Sequence, residues 1–200
     1  MRNIAGICGA PCTGKTTLAR SLHASLARRG LECMLLPEPA RLLAERGVKI
    51  DAAMRDADYD AFLTAYGERD AHPAPLCIAD RTPLDHYCYL AVNRSLGRHW
   101  QPDEQFLARH RAAALAGMRR YRLLIYLPNC LPLIDDRFRV TDPAYQQALD
   151  GALCEIVSAA DVPLVTVPLA KKQRKEAALA AISAAWPELF MPAPLEAQAG

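Results

Sequence analysis

The residues Gly9-Ala10-Pro11-Cys12-Thr13-Gly14-Lys15-Thr16 carry the densest chemistry in the chain. They match G-x-x-x-x-G-K-[ST], a spacing suited to holding phosphate. Successive backbone N–H groups across Ala10, Pro11, Cys12 and Thr13 can curl into a nest for phosphate oxygens, with only Pro11 lacking a donor. Gly9 and Gly14 permit backbone angles and close approaches that a Cβ would block. Lys15 adds a point charge for the outer phosphates, and Thr16 a hydroxyl for Mg²⁺. The helix that follows, from Thr17 on, adds the positive end of its dipole. Gly9 through Thr17 thus form the candidate binding site for ATP and Mg²⁺.

Two acidic positions extend this chemistry. Glu38 follows an apolar run and precedes Pro39, which suits the first position of a helix. A carboxylate at such a strand end points into the crevice where ligands of open α/β sheets bind. There it can take the proton of an attacking hydroxyl. Arg41, one turn on, can clamp a phosphate or pair with Glu38. Asp80 ends a second apolar run, Leu76-Cys77-Ile78-Ala79, at the usual place for a carboxylate near Mg²⁺. The next residue is Arg81, where many water-activating ATPases carry a glutamate. Arginine cannot serve as a base, and it suits holding an acceptor or stabilising charge on a transferred group. Arg137 and Arg139 lie in a Pro-containing stretch without period, at about 128–142, and are candidates for a lid over the nucleotide.

The elements that must position these residues follow from the pattern. Residues 3–8 suit a buried strand, and Leu18, Leu22, Ser25, Leu26 and Arg29 a helix stopped by Gly30. Further strands are expected at 31–36, 76–79, 122–127 and 164–167. Strands alternating with helices predict an α/β domain with a mainly parallel sheet. Tyr59, Phe62, Leu63 and Tyr66 fall on one helix face. That face packs on the sheet, or one of its tyrosines lines an acceptor pocket. Asp142-Pro143 predicts a helix cap and first turn, with the helix running to about 159. One domain over 1–190 and a fraying Pro- and Ala-rich tail at 191–200 complete the layout.

Composition narrows the partners. The 24 basic residues against 22 acidic ones leave a formal charge of +2, which makes no case for bulk binding to nucleic acid or membrane. Seven cysteines, none in a C-x-x-C pair, argue against a disulfide framework or a zinc site. The basic runs at 109–122 and 171–175 suit solvated faces, the second of which can also border a base pocket. No signal-like segment or membrane-length apolar run is found, so a cytoplasmic location is expected.

The chain resembles P-loop small-molecule kinases. Within that group it is similar to bacterial ATP-binding domains related to the nicotinamide riboside kinase domain, and more distantly to deoxynucleoside kinases. Glu38-Pro39-Ala40-Arg41 matches the family's acidic element after strand two. Asp80-Arg81 with Asp85 and Tyr89 matches its D-R-x-x-x-D-x-x-x-Y element. Asp136-Arg137-Phe138-Arg139 before Asp142-Pro143 resembles its lid, D-G-x-R then D-P, with Arg137 in place of the glycine. The resemblance implies a five-stranded parallel sheet in the order 2-3-1-4-5. It also implies catalytic roles for Lys15, Glu38, Asp80, Arg81, Arg137 and Arg139, and metal contacts for Thr16 and Asp80. Acceptor contacts would come from Glu38, Arg41, Tyr59, Tyr66, Arg81 and Asp85. The Gln-based element by which deoxynucleoside kinases read a base is not found between Tyr59 and His72. The expected activity is transfer of the ATP γ-phosphoryl group to a hydroxyl of a nucleoside or nicotinamide-riboside-like acceptor. A nucleoside monophosphate kinase and a regulatory NTP-binding or NTP-hydrolysing module are the alternatives.

Overall fold

Five short apolar strands pair side by side, all parallel, in the order β2-β3-β1-β4-β5. The computed structural model describes residues 2–50, 54–98, 101–129, 142–168 and 170–190. The strands are β1 (Ile4–Gly9), β2 (Met34–Leu36), β3 (Cys77–Asp80), β4 (Tyr121–Leu127) and β5 (Leu164–Thr166). Between them run α1 (Lys15–Ala27), α2 (Pro39–Glu45), α3 (Asp56–Arg69), α4 (Pro83–Ser95), α5 (Glu104–Gly117), α6 (Pro143–Ser158), α7 (Lys171–Ala185) and α8 (Pro187–Phe190).

Side chains of β1 alternate between two cores, as the pleat requires. Ile4 and Cys8 join Leu84, Tyr121, Leu149 and Leu153 on the side of α4, α5 and α6. Ala5 and Ile7 join Leu18, Leu22, Ile125 and Trp186 on the side of α1 and α7. With both faces covered, every residue of β1 is buried, which is why this strand is apolar throughout rather than alternating.

The second strand is shorter than the expected 31–36. It lies at the sheet edge, and its one partner, β3, begins at Cys77 opposite Met34. Residues 31–33 therefore have no strand to pair with, and the N–H of Leu31 closes α1 by donating to Leu26 O. The expected helix caps are present. Pro39 opens α2, and Asp142 Oδ1 accepts from the amides of Ala144 and Tyr145 at the start of α6.

The topology brings the chemistry to one edge. Ile7 lies opposite Asp80 in the β1–β3 register. The loop after β1 thus emerges beside the carboxyl end of β3, where the strand order reverses. The lid arginines Arg137 and Arg139 and the tail at 191–200 lie outside the described residues.

Candidate active site

The loop from Gly9 to Gly14 is shaped by backbone conformations that its residue types make accessible. Gly9 and Gly14 have φ of 153° and 91°. A Cβ on Gly9 would sit 2.6 Å from Leu127 O, closer than any side chain tolerates, so only glycine fits there. Cys12, with φ 63°, takes the left-handed region without that freedom, a strain of about 1–3 kcal/mol held by its surroundings. Thr13 Oγ1 donates to Ala10 O at 2.9 Å across the loop.

Two further side chains strap the loop from outside. Gln146 of α6 donates to Pro11 O at 2.7 Å, and Arg174 of α7 donates to Thr13 O at 2.8 Å and Pro168 O at 3.0 Å. Arg174 is 4% exposed. The basic run at 171–175 is thus not simply a solvated face: its fourth residue is part of the loop's scaffold.

Lys15 is buried, and its Nζ donates to Gly9 O and Ala10 O, both at 2.6 Å. Burial pushes its pKa down to about 7, and the charge of Arg81 pushes the same way. Asp80 is buried at the end of β3. Burial raises its pKa, against a hydrogen bond from Thr16 that lowers it. Among the described residues its buried Oδ1 has no hydrogen-bond partner. A buried, unpartnered carboxylate oxygen beside a hydroxyl fits a hard divalent cation. Among the described residues no group of three His, Cys, Asp or Glu side chains could hold a metal ion by itself. Thr16 and Asp80 would need a nucleotide's phosphates and water to complete the shell.

Arg81 sits at φ 71°, left-handed and non-glycine, immediately after β3. Its amide donates to Ile7 O at 3.1 Å. The guanidinium pairs with Glu38 through Nε, lies 3.9 Å from Asp85 Oδ1, and stands 5.4 Å over the Tyr89 ring. Burial opposes its charge, but Tyr89, Glu38 and Asp85 more than offset this and keep it protonated. Glu38, at the N-cap of α2, keeps a partly exposed carboxylate against Arg81.

The other expected acceptor residues divide. Asp85 is the N3 residue of α4 in a capping box with Thr82, whose amide and hydroxyl donate to Oδ2 at 2.9 and 2.8 Å. Its Oδ1 accepts from Gly9 N at 3.4 Å. The carboxylate thus links the start of α4 to the loop and borders Arg81. Tyr59 is 4% exposed and packs against Leu90 and Phe106, its hydroxyl accepting from Asn93. Its neighbours from α4 and α5 close over it. Tyr66 is equally buried, with Leu43 and Phe62 in its cluster, and Arg69 stacks on its ring. Arg41 is exposed on α2. A separate cleft of about 120 Å³, lined by Leu63, Tyr66, Pro83 and Gly117 among others, lies away from the loop.

Residues 5–176 match the AAA domain family, and the chain belongs to it. No curated protein matches at a comparable level. Solved structures sharing the fold include the NadR protein in complex with NR, at 18% identity and a TM-score of 0.72. That alignment covers 95% of this chain and 52% of the other, so the chain spans about half the length of NadR. The fold is also that of deoxyadenosine kinase from M. mycoides with bound dCTP, at 20% identity and a TM-score of 0.64, covering 91% of this chain and 99% of the kinase. The five-stranded P-loop fold in the order 2-3-1-4-5 is thereby established.

Proposed function

We propose that this protein is an ATP- and Mg²⁺-dependent phosphotransferase that moves the γ-phosphoryl group to a hydroxyl of a small acceptor, a nucleoside or nicotinamide-riboside-like molecule. The observation that carries the reading is the Glu38–Arg81 ion pair beside the phosphate loop. In this reading the partly exposed carboxylate and its fixed cation meet the acceptor hydroxyl beside ATP. The fold-sharing structures lend support: NadR structures hold NR, or NAD with AMP-PNP, and the deoxyadenosine kinase structure holds dCTP.

In this reading the loop amides and Lys15 hold the β- and γ-phosphates. Phosphate charge restores the proton that burial loosens from Lys15. Thr16 and Asp80 hold Mg²⁺, which neutralises phosphate charge when bound. Glu38 accepts the proton of the acceptor hydroxyl as its oxygen bonds to the γ-phosphorus. The bond from that phosphorus to the bridging oxygen breaks, and ADP leaves with the electron pair. Arg81 orients the acceptor, and Arg139 with Arg137 neutralises the transferred group. Such transfer depends on positioning and electrostatics more than on covalent chemistry.

A hydroxyl acceptor is favoured over a nucleoside monophosphate because Arg81 is already flanked by Glu38 and Asp85. That pairing leaves little charge for an incoming phosphate. Glu38→Gln tests the point. It is expected to cost about 10²–10⁴-fold in turnover with ATP affinity retained. Unchanged turnover would favour the monophosphate kinase.

A further inference from the structure

Arg69, the last residue of α3, lies almost wholly buried with its side chain 8% exposed. Its five N–H donors each have a partner. Nε donates to Asp70 Oδ1 at 2.8 Å. Nη1 donates to Pro37 O and Asp80 O, both at 3.2 Å. Nη2 donates to Arg81 O at 3.1 Å and to Tyr121 Oη at 2.9 Å. The three main-chain acceptors are the residue before Glu38, Asp80 itself and Arg81 itself. One planar group thus ties together the carboxyl ends of β2 and β3, which present the three side chains assigned to chemistry.

The clamp is itself held. Tyr121 Oη donates to Asp70 Oδ2 at 2.7 Å, and Arg120 donates to Asp70 O at 2.9 Å. The Tyr121 ring lies where a Cβ on Gly6 would sit, 2.5 Å from its Cε1. Glycine in the middle of β1 therefore makes room for the tyrosine that anchors Arg69. The Arg69 plane also stacks on Tyr66, 4.7 Å from the ring centroid.

Arg81 needs such support. A left-handed backbone at a side-chain-bearing residue costs about 1–3 kcal/mol and persists only when its surroundings over-determine it. Its amide is fixed by Ile7 O and its carbonyl by Arg69. Lysine could not replace the clamp, because it has three donors on one atom against five in a planar fork.

We propose that Arg69 is the positioning residue of the active site, holding the Arg81 turn and the Glu38 strand end in the geometry that turnover requires. The kinetic part of this proposal rests on the phosphotransferase reading; the conformational part does not.

The test uses the full chain with Arg69→Lys and Arg69→Gly. Amide hydrogen exchange is followed at Arg81 and Thr82, with the amides of α1 and α7 as internal reference. Arg69→Lys is expected to speed exchange at Arg81 and Thr82 about tenfold or more by local opening, while the reference amides stay as in the wild type. Unchanged exchange at the turn, or equal acceleration everywhere, would overturn the proposal. Kinetics then read the consequence. Turnover should fall about 10²-fold for a displacement near 1 Å, with KM for ATP within a few-fold. Added guanidinium should restore part of the turnover of Arg69→Gly. Full turnover in Arg69→Lys would overturn the positioning role. A wild type with no acceptor-dependent turnover would instead sink the phosphotransferase reading, and the exchange experiment would still decide the clamp.

Discussion

Replacing Arg174 by methionine removes the strap that ties α7 to the phosphate loop while keeping an unbranched apolar stem. The structure sets the magnitude. Arg174 is 4% exposed and donates to two carbonyls, Thr13 O and Pro168 O. Hydrogen bonds to charged groups contribute roughly 1.5–3 kcal/mol each, and the variant leaves both acceptors without that donor. The expected loss of unfolding free energy is about 3–6 kcal/mol. Lysine can reach one carbonyl at a time, so Arg174→Lys should lose about half as much on the same scale. Thr13 is in the loop, so part of the cost falls on the conformation that binds nucleotide. A loop penalty near 1.4 kcal/mol weakens nucleotide binding about tenfold. Urea unfolding gives the first quantity and calorimetric titration with Mg-ATP the second. An Arg174→Met protein within about 1 kcal/mol of wild type, a span below the smallest single bond counted, with unchanged ATP affinity, would refute the strap.

Other perturbations have equally definite outcomes. Gly9→Ala should abolish measurable ATP binding in the same titration, because its Cβ would meet Leu127 O at the end of β4 and force the start of the loop away from its place. ATP binding at pH 8 should take up part of a proton, since Lys15 titrates at about 7 when buried and phosphate charge raises it. Titrations in buffers of different ionisation enthalpy would show the uptake, and identical heats would contradict it. His86 is buried, stacks on Phe62 at 4.7 Å, and is pushed down to about 3, chiefly by burial and then by His110. Below its ordinary value of 6.5 the unfolded chain binds a proton that the folded one refuses, so stability falls as pH drops from there toward 3. The loss between pH 7 and pH 5 is about 2 kcal/mol. His86→Phe, measured by urea unfolding at both pH values, should remove that difference.

What could be foreseen from residues alone was what is local. The phosphate loop is one contiguous segment, and its flanking strand and helix follow from apolar runs on either side. The strand order came from resemblance, since short parallel strands carry no pairing code of their own. The capping role of Asp85 was readable and went unread: Thr82-Pro83-Leu84-Asp85 has the capping-box spacing. Tyr59 and Tyr66 share the helix face foreseen for them, but which helices close over that face is a tertiary fact. Arg174 was hidden among neighbouring charges of a run that suits solvent. Arg69 was hidden more deeply. Four of its five partners lie far along the chain, and three of these are backbone carbonyls, which leave no trace in residue types.

The central claim is acceptor-dependent phosphoryl transfer. The most direct measurement is ADP release from Mg-ATP across a panel of nucleosides, nicotinamide riboside and nucleoside monophosphates, with Lys15→Ala as the blank. The account predicts that a nucleoside or nicotinamide riboside raises Lys15-dependent turnover well above the rate without acceptor, and that monophosphates do not. A flat panel from a protein that still binds ATP would contradict it and favour a regulatory NTP-binding module.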